Sequence, residues 1–305
     1  MRVVVTGGAG YVGTELVNAL ILLPEVEQVV VYDNLSRPNF NYFIGHKREG
    51  HQKFQFIHGE LLDSRKLRKV LQNTDVVFHL AAKVTTPFAN TDAHMYEQIN
   101  HWGTAELVYA IEESPVKHLV YLSSTSVYGN TKQMVSLESA PNPTTFYGIS
   151  KLRGEEHVNR LSDKIKTHII RCGNVYGFSK SMRFDAVINR FMFDANFTNR
   201  ISIHGNGRQH RAFIHINHVT QVLQSLIGAD LGSGVYNLVD KNLQVLDIVE
   251  VLKEIYLDLE FIFINQHMGL NELSVDNKEA LHSVFRFESR SLLHELQEFK
   301  EKFAF

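Results

Sequence analysis

The stretch FYGISK places Tyr147 four residues ahead of Lys151. On a helix, residues at that spacing lie on one face, so a phenol and an ammonium can address the same point. Such a pair is suited to moving a proton. A tyrosine alone ionises near ~10, too high for a base at neutral pH, and a neighbouring cation favours its phenolate. An ordinary buried aromatic beside a surface lysine gives the same spacing, so the rest of the chain must decide.

A second constellation opens the chain. VVVTGGAGYVGTEL reads as a strand, a glycine turn and a helix. Gly8, Gly10 and Gly13 satisfy the G-x-G-x-x-G pattern, and Gly7, Gly10 and Gly13 a wider-spaced version of it. Glycines there permit a tight turn and let backbone approach a pyrophosphate, which then meets the free N–H groups of a helix N-terminus. The next strand ends in VVVYDNLS, with Asp33 twenty positions beyond Gly13. A carboxylate at that place accepts from adenosine ribose hydroxyls and repels a 2′-phosphate, which favours NAD over NADP. Arg37 lies close by, where it could pair with a phosphate.

These residues need elements to hold them. Short apolar, β-branched runs occur at Val3–Thr6, Gln28–Tyr32, Phe54–His58, Val76–Leu80, His118–Ser123 and Thr167–Arg171. Helical patterns at Tyr11–Leu22, Ser64–Leu71, His94–Glu113 and Thr144–Leu161 fall between most of them. Nearly all-apolar strands alternating with helices indicate an α/β fold, a doubly wound parallel sheet covered on both faces. Ligands then bind at the carboxyl ends of the strands. After residue 174 the rhythm changes. A helix at Phe184–Phe197 leads to strands Ile201–His204 and Ala212–Ile216, helix Val219–Gly228, strand Val235–Leu238, helix Val245–Tyr256 and a helical tail Ser291–Phe303. We therefore expect a dinucleotide-binding domain over 1–173, with a return segment near 212–240, and a smaller substrate lobe over 174–305.

The bulk composition excludes several function classes. The chain has 305 residues, 44% of them hydrophobic, enough for a large core. A net charge of −2 gives no general attraction to nucleic acid or an acidic membrane. The longest wholly apolar runs, such as Ala19–Leu23, are far short of the roughly 20 residues a membrane helix needs. The sixteen histidines are scattered singly, without metal-ligand spacing, so no metal site is expected. One cysteine, Cys172, allows no intrachain disulfide. With a strand pattern from the second residue and so no signal peptide, this suggests a cytoplasmic protein.

Taken in order, the motifs TGGAGYVG (6–13), DNLS (33–36), HGELLD (58–63), VVFHLAAKV (76–84), NHWGT (100–104), VYLSSTSVYG (120–129), YGISK (147–151), RCGNVYG (171–177), GNGRQHRAFIHINHV (205–219) and VYNL (235–238) resemble the extended short-chain dehydrogenase/reductases. That class includes the nucleotide-sugar epimerases and dehydratases. The resemblance implies a catalytic Ser124, Tyr147 and Lys151, with Tyr147 as acid/base. Ser124 would hold the substrate oxygen, and Lys151 would tune the phenol and bind the nicotinamide ribose. It implies NAD contacts from Gly7, Gly10, Tyr11, Val12, Gly13, Asp33 and Asn34, and from Tyr147 beside Lys151. Glu60 and Leu61 would meet the adenine, Leu80, Ala81 and Ala82 would pass beneath the cofactor, and Asn100 and Gly173 would also touch it.

For substrate, the resemblance implies a nucleotide-diphosphate sugar held by Ser124, Asn174, Ser202, His204 and Arg211, the arginine's donor fork suiting a diphosphate. The family's usual acidic residues after this arginine are replaced by Ala212, Asn217 and His218, and Asn217 is expected to cap the following helix. Dehydratases of the family carry carboxylates where this chain has Thr125 and Ser126. The expectation is therefore NAD-dependent epimerisation, at C4, through a keto sugar. The alternatives are a dehydrogenase/reductase of a nucleotide sugar or other carbonyl, and a catalytically silent NAD-sensing protein. Homodimers, formed through the helices near 94–113 and 144–161, are the family habit.

Overall fold

The computed structural model describes every residue except 41, 45–48, 85–91, 266–271, 277–280, 282–284, 286–289 and 305. Seven parallel strands form its main sheet: β1 (Arg2–Thr6), β2 (Gln28–Asp33), β3 (Phe54–His58), β4 (Val76–His79), β5 (His118–Ser124), β7 (Lys166–Cys172) and β11 (Gly234–Leu238). Their order is β11-β7-β5-β4-β1-β2-β3. The chain runs outward one way from β1 to β3, then crosses to β4 and continues the other way. The crevice for a ligand in such a sheet lies at that reversal, above the carboxyl ends of β1 and β4.

The central strands are buried on both faces. Val3, Val5, Val29, Val31, Phe78 and Val120 face one side, and Val4, Val30, Val77, Leu119 and Tyr121 the other. Helices α1 (Tyr11–Leu20) and α7 (Ile216–Ser225) cover the first face; α2 (Ser64–Leu71), α4 (Gly103–Glu112) and α5 (Phe146–Asn159) cover the second. Each fully buried Val or Leu contributes about 1.5–3 kcal/mol. Near-continuous apolar strands are what made this sheet readable.

A separate hydrophobic cluster lies beyond the sheet. It joins α6 (Val187–Thr198), α8 (Val245–Ile255) and α9 (Leu292–Lys300) with β9 (Arg200–His204) and β10 (His210–His215). Strand β10 pairs with β8 (Asn174–Tyr176) and with β12 (Lys241–Gln244), β9 pairs with β13 (Glu260–Ile264), and β6 (Met134–Val135) pairs with β14 (Ser274–Val275). Strands β8, β12 and β13 were not anticipated; β8 and β12 are only three and four residues long. No helix among the described residues is long and apolar enough to cross a membrane.

Two local expectations are corrected. The helix expected over His94–Glu113 is a short α3 (Ala93–Tyr96), a π-helical turn over Glu97–Trp102 and α4. Asn100 sits fully buried in that wide turn. The helix after β10 is capped by His215, whose Nδ1 accepts from the Asn217 amide at 3.3 Å, rather than by the Asn217 side chain.

Several imidazoles are buried in this frame. Burial is the largest influence on each, lowering His79 and His118 to about 3 and His215 to about 4, from an ordinary 6.5. They are neutral in the folded chain and protonate freely when unfolded. Their contribution is therefore complete above pH 6.5 and is lost as pH falls, on the order of 1 kcal/mol per imidazole per pH unit. We expect the thermal midpoint to drop clearly between pH 7 and pH 5 in calorimetry; an unchanged midpoint would show that these side chains reach water.

Candidate active site

The residues singled out in the sequence converge on one cleft of ≈ 1110 Å³ above the carboxyl ends of the sheet. Its floor begins at the glycine turn between β1 and α1. Gly7 has φ +72°, and a β-carbon there would lie 2.5 Å from the Ala81 nitrogen. A β-carbon on Gly13 would lie 2.3 Å from the Gly7 oxygen. At Gly7 the turn thus lies against the Leu80–Ala82 segment that follows β4, and a side chain there would separate them, while one at Gly13 would push α1 off the turn itself. Gly10, Tyr11 and Val12 complete this wall. Tyr11 is anchored elsewhere, its hydroxyl donating to the Gly177 carbonyl at 2.6 Å.

Asp33, at the end of β2, faces the same wall. One carboxylate oxygen accepts from the Ala9 amide at 3.0 Å and the other from Leu35 at 2.8 Å. Burial raises its pKa, against the pull of those two amides. Asp33 is therefore partly structural, holding the glycine turn, with lone pairs left for ribose hydroxyls. Asn34 donates to Glu60 at 3.0 Å, and Leu61 lies beside it on the cleft wall. The space left by the glycines, with a carboxylate beside it, fits a dinucleotide.

The opposite end of the cleft carries the candidate chemistry. Ser124 ends β5 and pairs in register with Cys172 on β7. Its Oγ accepts from the Ser126 amide at 3.2 Å, closing a short turn over Thr125–Tyr128. Tyr147 stands in the first turn of α5, whose N-terminus is capped by Thr145 accepting from Gly148 at 3.0 Å. Burial raises the Tyr147 pKa; the Arg183 guanidinium and a hydrogen bond from Ser124 pull it down, while the Cys172 thiol opposes them.

Two candidates lie beneath the cleft and do not line it. Lys151 is 2% exposed, with its Nζ 4.0 Å from the Tyr121 ring centroid. Burial brings its pKa down to about 7, and Glu155 pulls it back up. The influences that lower Tyr147 thus come from Arg183 and Ser124, because Lys151 is directed inward against Tyr121. Asn100 is likewise enclosed. Its amide brackets the Lys83 backbone, accepting from the nitrogen at 2.7 Å and donating to the oxygen at 3.0 Å, and it also donates to Ser150. It braces the Leu80–Lys83 segment against α5 and does not itself line the cleft, where direct cofactor contact was expected of it.

Gly173, Asn174, Ser202, His204 and Arg211 line the far wall. Asn174 donates to the Ala212 carbonyl at 3.0 Å. Burial alone lowers Arg211, with no carboxylate among the described residues offsetting it, so the wall carries a cation suited to an anionic ligand. Arg183 was missed in the sequence. It lies in the irregular segment before α6, paired with Asp185 at 3.0 Å, and nothing in the sequence periodicity marks it. Also missed was a buried group of His218, Asp240 and Glu295, whose donor atoms lie within 4.8 Å of one another. Lys241 reaches Asp240 at 2.5 Å and Glu295 at 3.2 Å, and Tyr176 donates to Glu295. A lysine thus supplies the positive charge there. Residues so far apart in sequence gave no spacing to notice.

Comparison with known proteins gives the cleft a context. Residues 3–238 match the model of the NAD dependent epimerase/dehydratase family. The human dTDP-D-glucose 4,6-dehydratase is 28% identical over 263 residues, 83% of this chain and 73% of that protein. The UDP-glucose 4-epimerase of Mycolicibacterium smegmatis is 29% identical over 245 residues, covering 78% and 77%. The structure of UDP-glucuronic acid 4-epimerase from Bacillus cereus, with UDP-glucuronic acid and NAD, aligns at TM-score 0.87 and 26% identity over 99% of this chain and 98% of that one.

The glycine turn offers a direct check. Gly7→Ala combines a positive φ with a backbone collision. Titration calorimetry should show NAD affinity at least about tenfold weaker, whereas wild-type affinity would mean that the turn does not carry the pyrophosphate.

Proposed function

The chain belongs to the NAD-dependent epimerase/dehydratase family and its cofactor is NAD, and we propose that it inverts a nucleotide-diphosphate sugar at C4. The observation that carries this reading is the state of the carboxylates on the cleft wall. Asp33 holds Ala9 and Leu35, Glu60 takes Asn34, and Asp185 is paired with Arg183 and Arg37. The chain after Ser124 continues on the cleft wall with the hydroxyls of Thr125 and Ser126 rather than with carboxylates. Eliminating water from a sugar needs an acid and a base beyond the phenol. Inversion through a ketone needs one group to take a hydroxyl proton and give it back.

The protein's own contribution follows from the site. NAD, when held by the glycine turn, Asp33 and the Leu80–Ala82 segment, supplies a hydride acceptor that can return what it takes. Ser124 hydrogen-bonds the sugar hydroxyl and shares the charge that develops on its oxygen. Tyr147, as phenolate, removes that hydroxyl proton while the C4 hydrogen departs, and restores it after the keto sugar has turned its other face. Arg183 and Ser124 favour the phenolate against the cost of burial. Arg211 and Asn174 would hold the diphosphate, and Ser202 and His204 the base. In this reading residues 1–173, with the return of 212–240, carry the cofactor, and the remainder of 174–305 carries the substrate. Two copies would meet through α3, α4 and α5. Trp102 (53% exposed) and Phe146 (39%) present apolar surface there, whereas Leu107, Ile111 and Val158 are buried within the chain's own core.

Incubation with UDP-, GDP- and dTDP-sugars should give C4-inverted product with no net nicotinamide reduction. A dehydrated sugar, or steady NADH formation, would contradict the proposal, the latter pointing to a dehydrogenase. Tyr147→Phe should lower turnover by about 10²–10⁴-fold while leaving NAD binding intact. Arg183→Gln removes a cation that lowers the Tyr147 pKa, so the acid limb of the pH–activity profile should move to higher pH.

A further inference from the structure

Arg37 lies four residues beyond Asp33. An arginine near that point is the group that accommodates the 2′-phosphate of NADP. Here the guanidinium has another partner. Its Nη2 lies 3.4 Å from Oδ2 of Asp185, on the segment between β8 and α6, and both side chains line the cleft. The other oxygen, Oδ1, accepts from Arg183 Nε at 3.0 Å. One carboxylate thus engages two arginines, one from the loop after β2 and one from its own segment.

Hydrogen bonds anchor both stretches of backbone. In the loop, the Leu35 and Ser36 amides donate to the Asp33 and Asn34 side chains at 2.8 and 2.9 Å, and Asn39 donates to the Ala9 carbonyl at 3.2 Å. Those bonds hold Leu35 at φ 53°, a left-handed conformation that a leucine rarely adopts. On the other side, Asn189 of α6, fully buried, clasps both ends of the 177–183 segment. It accepts from the Gly177 amide at 3.0 Å and donates to the Arg183 carbonyl at 3.1 Å. The middle is tied to α1, where Ser179 donates to Glu15 at 2.8 Å and Thr14 to Ser181 at 2.7 Å. Arg37 and Asp185 therefore meet from two fixed stretches of chain.

We propose that Asp185 is a positioning residue for cofactor choice: it keeps the Arg37 guanidinium engaged and so withholds it from a 2′-phosphate. This adds to the repulsion that Asp33 offers such a phosphate. A phosphate monoester beside a carboxylate needs a cation to offset the like charges, and Arg37 can serve only by giving up Asp185. NAD, with a hydroxyl in that place, asks for no such exchange. The effect concerns the cofactor alone and is independent of which sugar is turned over.

Calorimetric titration with NAD⁺ and with NADP⁺ gives the ratio of their dissociation constants, whereas a merely structural carboxylate would move both cofactors together. Asp185→Asn should tighten NADP⁺ relative to NAD⁺ by about three- to fivefold, the scale of a partly exposed ion pair. Asp185→Glu, which keeps the charge, should hold the wild-type ratio. In the double variant Arg37→Met/Asp185→Asn the ratio should match that of Arg37→Met alone, because the effect runs through the arginine. An unchanged ratio in Asp185→Asn, with both cofactors still bound, overturns the proposal. So does a ratio that falls as far in the Arg37→Met background, since Asp185 would then act on the phosphate directly.

Discussion

An ammonium kept out of water is the constraint around which this molecule is arranged. Enclosing a lysine costs several kcal/mol unless charge and polarisable groups surround it. Here the face of Tyr121 lies 4.0 Å from Lys151, and Glu155 supplies the anion. Glu155 in turn requires Arg171 and Ser123. These groups come from α5, β5 and β7, the middle of the sheet and the helix that crosses it. The same two strands end one residue later at Ser124 and Cys172 in the cleft. Core packing and reactive edge are therefore a single construction, and a change in one reaches the other through a few short hydrogen bonds.

Charge is also sorted along the cleft. Asp33 and Glu60 lie at the end of the sheet beyond the glycine turn, while Arg183, Arg190 and Arg211 lie on the side of the second hydrophobic cluster. Asp185 stands between, paired with Arg183 and with Arg37 from the loop after β2. The acidic end suits ribose hydroxyls and the basic end suits a diphosphate. Two anionic ligands laid end to end would thus be kept in order by the protein's own field. Tyr147 stands where the two regions meet, with Arg183 and Ser124 pulling its ionisation down.

Much of this was legible before any coordinates. The alternation of apolar strands with helices shows the parallel sheet, since strands buried on both faces have no polar side to confuse the pattern. The glycine spacing, Asp33 and the FYGISK pair were readable because each acts through local geometry. What escaped depends on residues distant in sequence. Glu155, Arg171 and Ser123 meet across 16 and 32 residues. His218, Asp240 and Glu295 meet only after three separate elements have packed. Arg183 lies in a segment with no period to read. Asn100 was noticed but misplaced: a π-helical turn, invisible in propensity, swings it under the Lys83 backbone. His215 took the capping role expected of Asn217 because its ring turns back onto the helix start.

The proposed reaction is one closed event, in which hydrogen leaves a sugar carbon and returns to it while Tyr147 handles the proton. The most direct measurement is to supply the nucleotide sugar deuterated at C4 in ordinary water and read the inverted product by mass spectrometry. Deuterium retained at C4 is the predicted result. Deuterium replaced by solvent hydrogen would contradict the account, since the hydrogen would then have left as a proton exchangeable with water.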